Sequence, residues 1–191
     1  MQTPTLTTER LLLRPWTPED LPDILRIFGD EETNHFLPWY PLKTMEEAAA
    51  FFAERLALQA DGGLHAALCL RESGEIIGYL NVSSEPACDL GYGLLGSHRG
   101  KGYVTEAALA VLDHLTAQGL PYVTATHDVE NPKSGAVMQR LGMDYQYSYL
   151  EHWQPKNIPV VFRLYLKSLD GREHPFPFYW EQSQIHFVEG L

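Results

Sequence analysis

Arg99-Gly100-Lys101-Gly102 sets two glycines between two cations, directly before an apolar run with helical spacing. A helix start offers up to four N–H groups with no intrahelical partner and the positive end of the helix dipole. Glycines let the backbone approach an oxyanion, and Arg99 and Lys101 add positive charge. Together these features describe an anion site. The spacing is not the G-x-x-x-x-G-K-[ST] of a Walker A loop, nor the G-x-G-x-x-G of a dinucleotide fold. A plain strand–turn–helix corner with two solvated cations has the same pattern, so the loop alone leaves the two readings even. The eight histidines show no H-E-x-x-H or Cys/His ligand spacing, and no metal is predicted.

The elements that must hold this loop follow from periodicity. Arg10 to Trp16 reads as a strand. Thr17-Pro18-Glu19-Asp20 reads as a helix start, followed by Leu21, Ile24, Leu25 and Phe28 on one face, with Gly29 as a stop. Thr44 and Glu47 form a capping box for a second helix with a buried stripe of Met45, Ala48, Phe52 and Leu56. Asp61-Gly62-Gly63 is a turn. Leu64 to Arg71 and Ile76 to Val82 form a hairpin, and Ala87 to Leu95 is a fourth strand. After the glycine loop comes a long helix that Gly119 and Pro121 stop, then a strand from Tyr122 to His127. A helix capped by Asn131-Pro132 follows, then closing strands Tyr145 to Trp153 and Val160 to Lys167. This order gives an α+β fold with a mixed sheet, not a doubly wound one.

The bulk numbers exclude some partners. The chain has 191 residues, 45% hydrophobic and 20% charged, with a formal net charge of -11. An acidic chain repels phosphate backbones, so no nucleic acid is expected. No apolar run reaches the roughly 20 residues that span a bilayer, and the N-terminus lacks a signal-peptide pattern, so no membrane is expected. Cys69 and Cys88 read as buried thiols in a reducing, cytoplasmic setting. Residues 169–191 are rich in aromatics and proline. They form an expected extension that packs on the 1–168 domain or on a partner subunit, and they raise the hypothesis of a homodimer.

Asp89-Leu90-Gly91-Tyr92, six residues, then Arg99-Gly100-Lys101-Gly102-Tyr103-Val104-Thr105-Glu106-Ala107 resembles the central motif of the GNAT acetyltransferase superfamily, and is similar to its RimJ/RimL-type branch. Asn131-Pro132-Lys133-Ser134 with the following Leu141-Gly142-Met143 resembles the second cofactor segment. Thr8-Glu9-Arg10-Leu11 resembles the opening, and Leu37-Pro38-Trp39 a recurrent loop. Arg99 and Gly102 match the superfamily pattern Q/R-x-x-G-x-G/A, whereas Val104 stands where Gly or Ala is usual.

The resemblance implies a mostly antiparallel, twisted sheet splayed between the fourth and fifth strands and flanked by about four helices. It implies acetyl-CoA as donor and an amine, of a small molecule or a protein N-terminus, as acceptor. The cofactor residues it implies are Leu94, Leu95, Arg99, Gly100, Lys101, Gly102, Tyr103, Val104, Asn131 and Ser134. Backbone groups of Gly93, Leu94 and Leu95 would bind pantetheine, with the Leu94 N–H polarising the thioester carbonyl. Asn131 would hold the pantetheine arm, cap its helix, or both. Ser134 matches the proton donor to the leaving thiolate, and is equally a helix residue. Asp89 and Glu151 are candidate bases or solvated strand acids. Glu106 reads as structural. Trp39 and Tyr40 are candidate acceptor contacts. Residues 150–157 and the tail depart from the branch pattern. A non-catalytic acyl-CoA sensor or scaffold remains the rival function.

Overall fold

Leu11 and Leu13 are fully buried in one core, whereas Leu12 between them packs against another, the two-residue alternation of a strand between two layers. The computed structural model describes residues 3–60 and 62–190. Its strands and helices run β1 (Leu6–Thr7), β2 (Leu11–Pro15), α1 (Leu21–Phe28), α2 (Met45–Ala60), β3 (Leu64–Leu70), β4 (Ile76–Val82), β5 (Leu90–Leu94), α3 (Tyr103–Ala117), β6 (Tyr122–Asp128), α4 (Pro132–Arg140), β7 (Asp144–Trp153), β8 (Ile158–Ser168), α5 (Phe178–Gln182) and β9 (His186–Phe187). Of the turn expected at residues 61–63, Asp61 lies outside the described residues. Among them, no helix is long and apolar enough to cross a membrane.

The strands form two antiparallel sheets, β1-β2-β3-β4-β5 and β6-β8-β7-β9. They meet at a parallel bridge between Asp89 and Thr124, where the Thr124 N–H donates to Cys88 O at 3.2 Å. Beyond that bridge β5 and β6 diverge. This is the splay expected between the fourth and fifth strands, with the short β1 shifting the count by one. The fold is the mixed α+β arrangement the resemblance implies, with a fifth helix in the tail.

Local chemistry fixes the ends of the elements. Thr17 N–H donates to the Asp20 carboxylate at 2.8 Å, and Arg14 grips the same group with two bonds of 2.7 and 2.8 Å. This bidentate pair holds the buried Asp20 carboxyl below its ordinary range against the opposing pull of burial. At the start of α2, Thr44 Oγ1 accepts from Glu47 N–H at 3.2 Å, and the Glu47 carboxylate accepts from Lys43 N–H, one residue before the expected capping-box partner. Gly119, at φ 80°, ends α3 in a Schellman motif, with Leu120 N–H on Leu115 O and Gly119 N–H on Thr116 O. The buried stripe of α2 differs from the sequence expectation. Met45 and Leu56 are exposed, and the inward face is Ala48, Phe51, Phe52 and Arg55. Phe51 turns inward because it packs on Phe28 of α1, with ring centroids 4.4 Å apart. The fourth strand begins at Leu90, not Ala87, because Cys88 has a left-handed φ of 48° that no ladder accommodates.

The segment after β8 folds back on β7. Tyr147 Oη donates to Phe176 O at 2.8 Å, and Tyr179 stacks on Tyr149 at 4.8 Å with the rings 2° from parallel. His186 and Phe187 pair with Tyr149 and Ser148. Glu189 closes the segment by pairing with Arg163.

Candidate active site

The ladder between β4 and β5 decides which amides face the gap. Ser83 N–H donates to Asp89 O, and Leu95 N–H donates to Ile77 O at 3.0 Å. Antiparallel alternation then turns Asp89, Gly91, Gly93 and Leu95 toward β4, and turns the amides of Tyr92 and Leu94 into the gap. The Leu94 amide thus points away from β4, the direction an oxyanion donor in the gap requires. Leu95 and Gly93 differ from the expectation, because their backbones are engaged with β4. Across the gap, Tyr92 Oη lies 3.0 Å from both Ser134 O and Ser134 Oγ. This contact ties β5 to the first turn of α4.

At the end of the gap, Gly100 and Gly102 take left-handed φ values of 75° and 80°. A Cβ on Gly100 would meet nothing within 4 Å, so the glycine answers to conformation and leaves open space above the loop. Gly102 is the N-cap of α3 and offers no side-chain cap. The first intrahelical bond is Glu106 N–H to Gly102 O, which leaves the amides of Tyr103, Val104 and Thr105 without helical acceptors. Lys101 is exposed here. Arg99 is not aimed at the loop. Its Nε donates to Leu94 O at 3.1 Å, one Nη to Thr33 Oγ1 at 3.1 Å, and the other pairs with Glu32. Arg10 supplies a cation instead. It lies over the Tyr103 ring at 4.5 Å, donates to Lys101 O and pairs with Glu106 at 2.7 Å. Glu106 also accepts from Thr8 and from Arg10 N–H, which fastens the N-terminal segment to the loop.

Asp89 stands at the mouth of the split, accepting from Thr124 Oγ1 at 3.3 Å. Burial pushes its pKa up to about 7, against the Thr124 hydrogen bond and with help from the negative charge of Glu151. Glu151 is an exposed residue whose carboxyl is nonetheless raised by partial loss of water. Tyr149 and Tyr179 both feel these two carboxylates, so the stacked ring pair belongs to the same neighbourhood. A carboxylate that titrates near neutrality can take a proton from an ammonium at working pH.

Residues 10–144 match the acetyltransferase (GNAT) domain family. That is more than half of the chain. The chain belongs to the GNAT acetyltransferase family. A ribosomal protein uS5-alanine N-acetyltransferase of Escherichia coli is 29% identical over 76% of this chain and 82% of its own. RimL, a ribosomal alpha-N-protein acetyltransferase solved with coenzyme A, superposes with a TM-score of 0.78 at 19% identity, covering 88% of this chain and 99% of its own. A spermidine N-acetyltransferase from Vibrio cholerae, solved with CoA and spermine, gives 0.72 at 15% identity, over 85% and 97%. These two likenesses establish the fold.

In this GNAT chain Ser134 is tied to Tyr92 of β5, Asp89 sits at the bridge to Thr124, and Leu94, Gly100 and Gly102 follow in order along β5 and the loop before α3. Asn131 caps α4 with its backbone, and its side chain makes no cap hydrogen bond. Val104 packs on the main core while its amide stays in the open first turn. Trp39 and Tyr40 part company. Trp39 is half-buried, with Nε1 donating to the buried Asn34 at 3.1 Å, whereas Tyr40 is 60% exposed. Sequence reasoning missed Tyr92, although its motif was in view. It also missed Lys156 at the tip of the β7–β8 hairpin, whose Nζ donates to Leu37 O at 2.6 Å and so ties that tip to the α1–α2 loop. No spacing rule marks such a contact between residues more than a hundred positions apart.

Proposed function

We propose that the chain moves acetyl directly from acetyl-CoA to a primary amine of a small molecule or a protein N-terminus. Residues 1–168 form the transferase domain, and 169–191 extend it beside the acceptor. Bound acetyl-CoA supplies the activated thioester. The open first turn of α3, with Gly100, Lys101 and Gly102, holds the pyrophosphate, and the gap-facing amides of Tyr92 and Leu94 hold pantetheine, with Asn131 opposite. Leu94 N–H donates to the thioester carbonyl, where negative charge develops. Asp89 takes the proton from the amine, its pKa held up by burial with a smaller contribution from Glu151. Ser134 delivers a proton to the leaving thiolate, and Tyr92 orients it. The observation that carries the reading is the divergence of β5 and β6 beside an Asp89 carboxyl with a pKa of about 7. Relatives named for acting on a protein alanine and on spermidine support an amine acceptor.

Calorimetric titration with acetyl-CoA, against ADP and NAD, tests the donor, and thiol release with a panel of amines tests the transfer. Binding without thiol release for any amine would favour an acyl-CoA sensor instead. A cytoplasmic setting belongs to the same reading, supported by two buried, unpaired thiols. So does a homodimer, supported by exposed Ile185, Phe187 and Val188 along and beside the edge strand β9. A monomer mass on sedimentation would overturn it.

A further inference from the structure

On the inward face of α2, Ala48, Phe51 and Phe52 are followed at the next stripe position by Arg55, where helical spacing calls for an apolar residue. Arg55 borders a cavity of about 30 Å³ walled by Trp39, Phe51 and Tyr79, with His65 and Asn81 among its other polar residues. Its Nε is sealed from solvent and has no hydrogen-bond partner. Among the described residues, no carboxylate lies within ion-pair distance of its guanidinium. The guanidinium rests 4.4 Å from the Phe51 ring centroid and 5.0 Å from that of Trp39. Ring faces attract a cation, but they leave its in-plane N–H groups unsatisfied. Burial pulls the Arg55 pKa below its ordinary value. The same burial, with Arg55 nearby, lowers His65 to about 4, so at neutral pH His65 offers an N–H and no second charge.

A planar anion that accepts two parallel N–H bonds completes such a site. The volume admits about two water-sized groups, which fits the two oxygens of a carboxylate. The cavity lies against the face of the sheet on which Gly91 and Gly93 of β5 leave room. Asn81 amide atoms stand 2.9 Å from where a Cβ on Gly91 would be, and the Tyr79 ring stands 2.5 Å from that of Gly93. Two residues before Gly91 on the same alternation is Asp89.

We propose that the Arg55 cavity binds a carboxylate carried by the acceptor, whose amine extends along β5 to Asp89. This rests on the transfer reading above. Asn81, which lines the cavity, pairs with Gly91, so Asp89 is its diagonal neighbour on the adjacent strand, about 7–8 Å away. A dipeptide or an ω-amino acid, which holds its amine and carboxylate roughly that far apart, is the acceptor class this placement favours.

The test uses the full chain and acetyl-CoA, comparing glycylglycine with its amide and 6-aminohexanoate with hexylamine. The expected kcat/KM preference for the acid over its uncharged counterpart is at least 10-fold, and Arg55→Met is expected to abolish most of it. Methionine keeps the stem and removes a buried charge, a change that cores commonly tolerate. A preference near one, or one that survives in Arg55→Met, overturns the carboxylate site and leaves acetyl transfer standing. Failure of the wild type to bind acetyl-CoA overturns both.

Discussion

Around the glycine loop, the groups proposed to meet the donor are backbone: open amides of Tyr103, Val104 and Thr105, and left-handed Gly100 and Gly102. On the acceptor side they are side chains drawn from distant segments. Asp89 comes from the bridge just before β5, Trp39 from the α1–α2 loop, Arg55 from α2 and Tyr179 from the tail. A backbone-built site depends on a few φ values and a helix start, and it tolerates drift in the rest of the chain. A side-chain site depends on packing between elements far apart in sequence, and it can change its ligand without changing the fold.

The sharpest way to break this contrast is at Asp89. Asp89→Asn is expected to lower kcat/KM by about 100-fold or more, the usual range for losing a general base. Wild-type activity rises as pH rises through about 7, when Asp89 loses its proton, and that limb disappears in the variant. Glu151, Cys88, Tyr149, Tyr179 and Tyr92 are titratable groups around it, and Glu151 is the one that raises its pKa, so Glu151→Gln shifts the limb to lower pH. The sign for stability is opposite to that for rate. A carboxyl whose folded pKa is raised from 3.8 to about 7 loses folded-state stability as pH climbs between those values. Thermal melts at pH 8 therefore show Asp89→Asn more stable than wild type, and a lower Tm would remove Asp89 from its buried position.

Gly102→Val probes the backbone side. A β-branched residue at φ 80° is strained by about 1–2 kcal/mol and crowds the open turn, so acetyl-CoA affinity falls by about 10-fold or more in calorimetry. An unchanged Kd would mean that the loop does not hold the donor. A subtler split concerns the proton for the thiolate. Ser134→Ala lowers kcat by about 10-fold with acetyl-CoA affinity near normal, whereas Tyr92→Phe has a smaller effect. The reverse order would make Tyr92 the donor and Ser134 its support.

Lys156→Met tests the acceptor side more gently. Losing the bond to Leu37 O loosens the mouth and raises the acceptor KM a few-fold, with the acetyl-CoA Kd unmoved. The smallest effect is Glu189→Gln in the tail. Pairing with Arg163 holds the Glu189 carboxyl at about 2, below its ordinary 4.5. Its stabilisation is complete above pH 4.5 and fades as pH falls toward 2. For this partly exposed pair, about 1 kcal/mol at pH 7 is expected, or a Tm lower by about 2–4 °C.

Much of the fold was legible because its signals are local. The Thr44/Glu47 cap, the hairpin at residues 72–75 and the glycine stop at 119 each act within a few residues. The inward face of α2 was not, because Leu56 and Arg55 both suit a helix and only the partner across the interface chooses between them. In the site, the glycine spacing announced the loop, but the direction of Arg99 was hidden. Glu32 and Thr33, more than sixty positions earlier, turn it away. The engagement of Leu95 with Ile77 was hidden too, because a one-residue phase in a ladder depends on the partner strand.

The stack of Tyr179 on Tyr149 has a consequence in time. A ribosome releases residues in numerical order, so β5, β6 and the glycine loop emerge before the ring that walls Asp89 and Glu151. Until residue 179 has left the tunnel, the growing chain carries its glycine loop but has one side of its acid pair open to water.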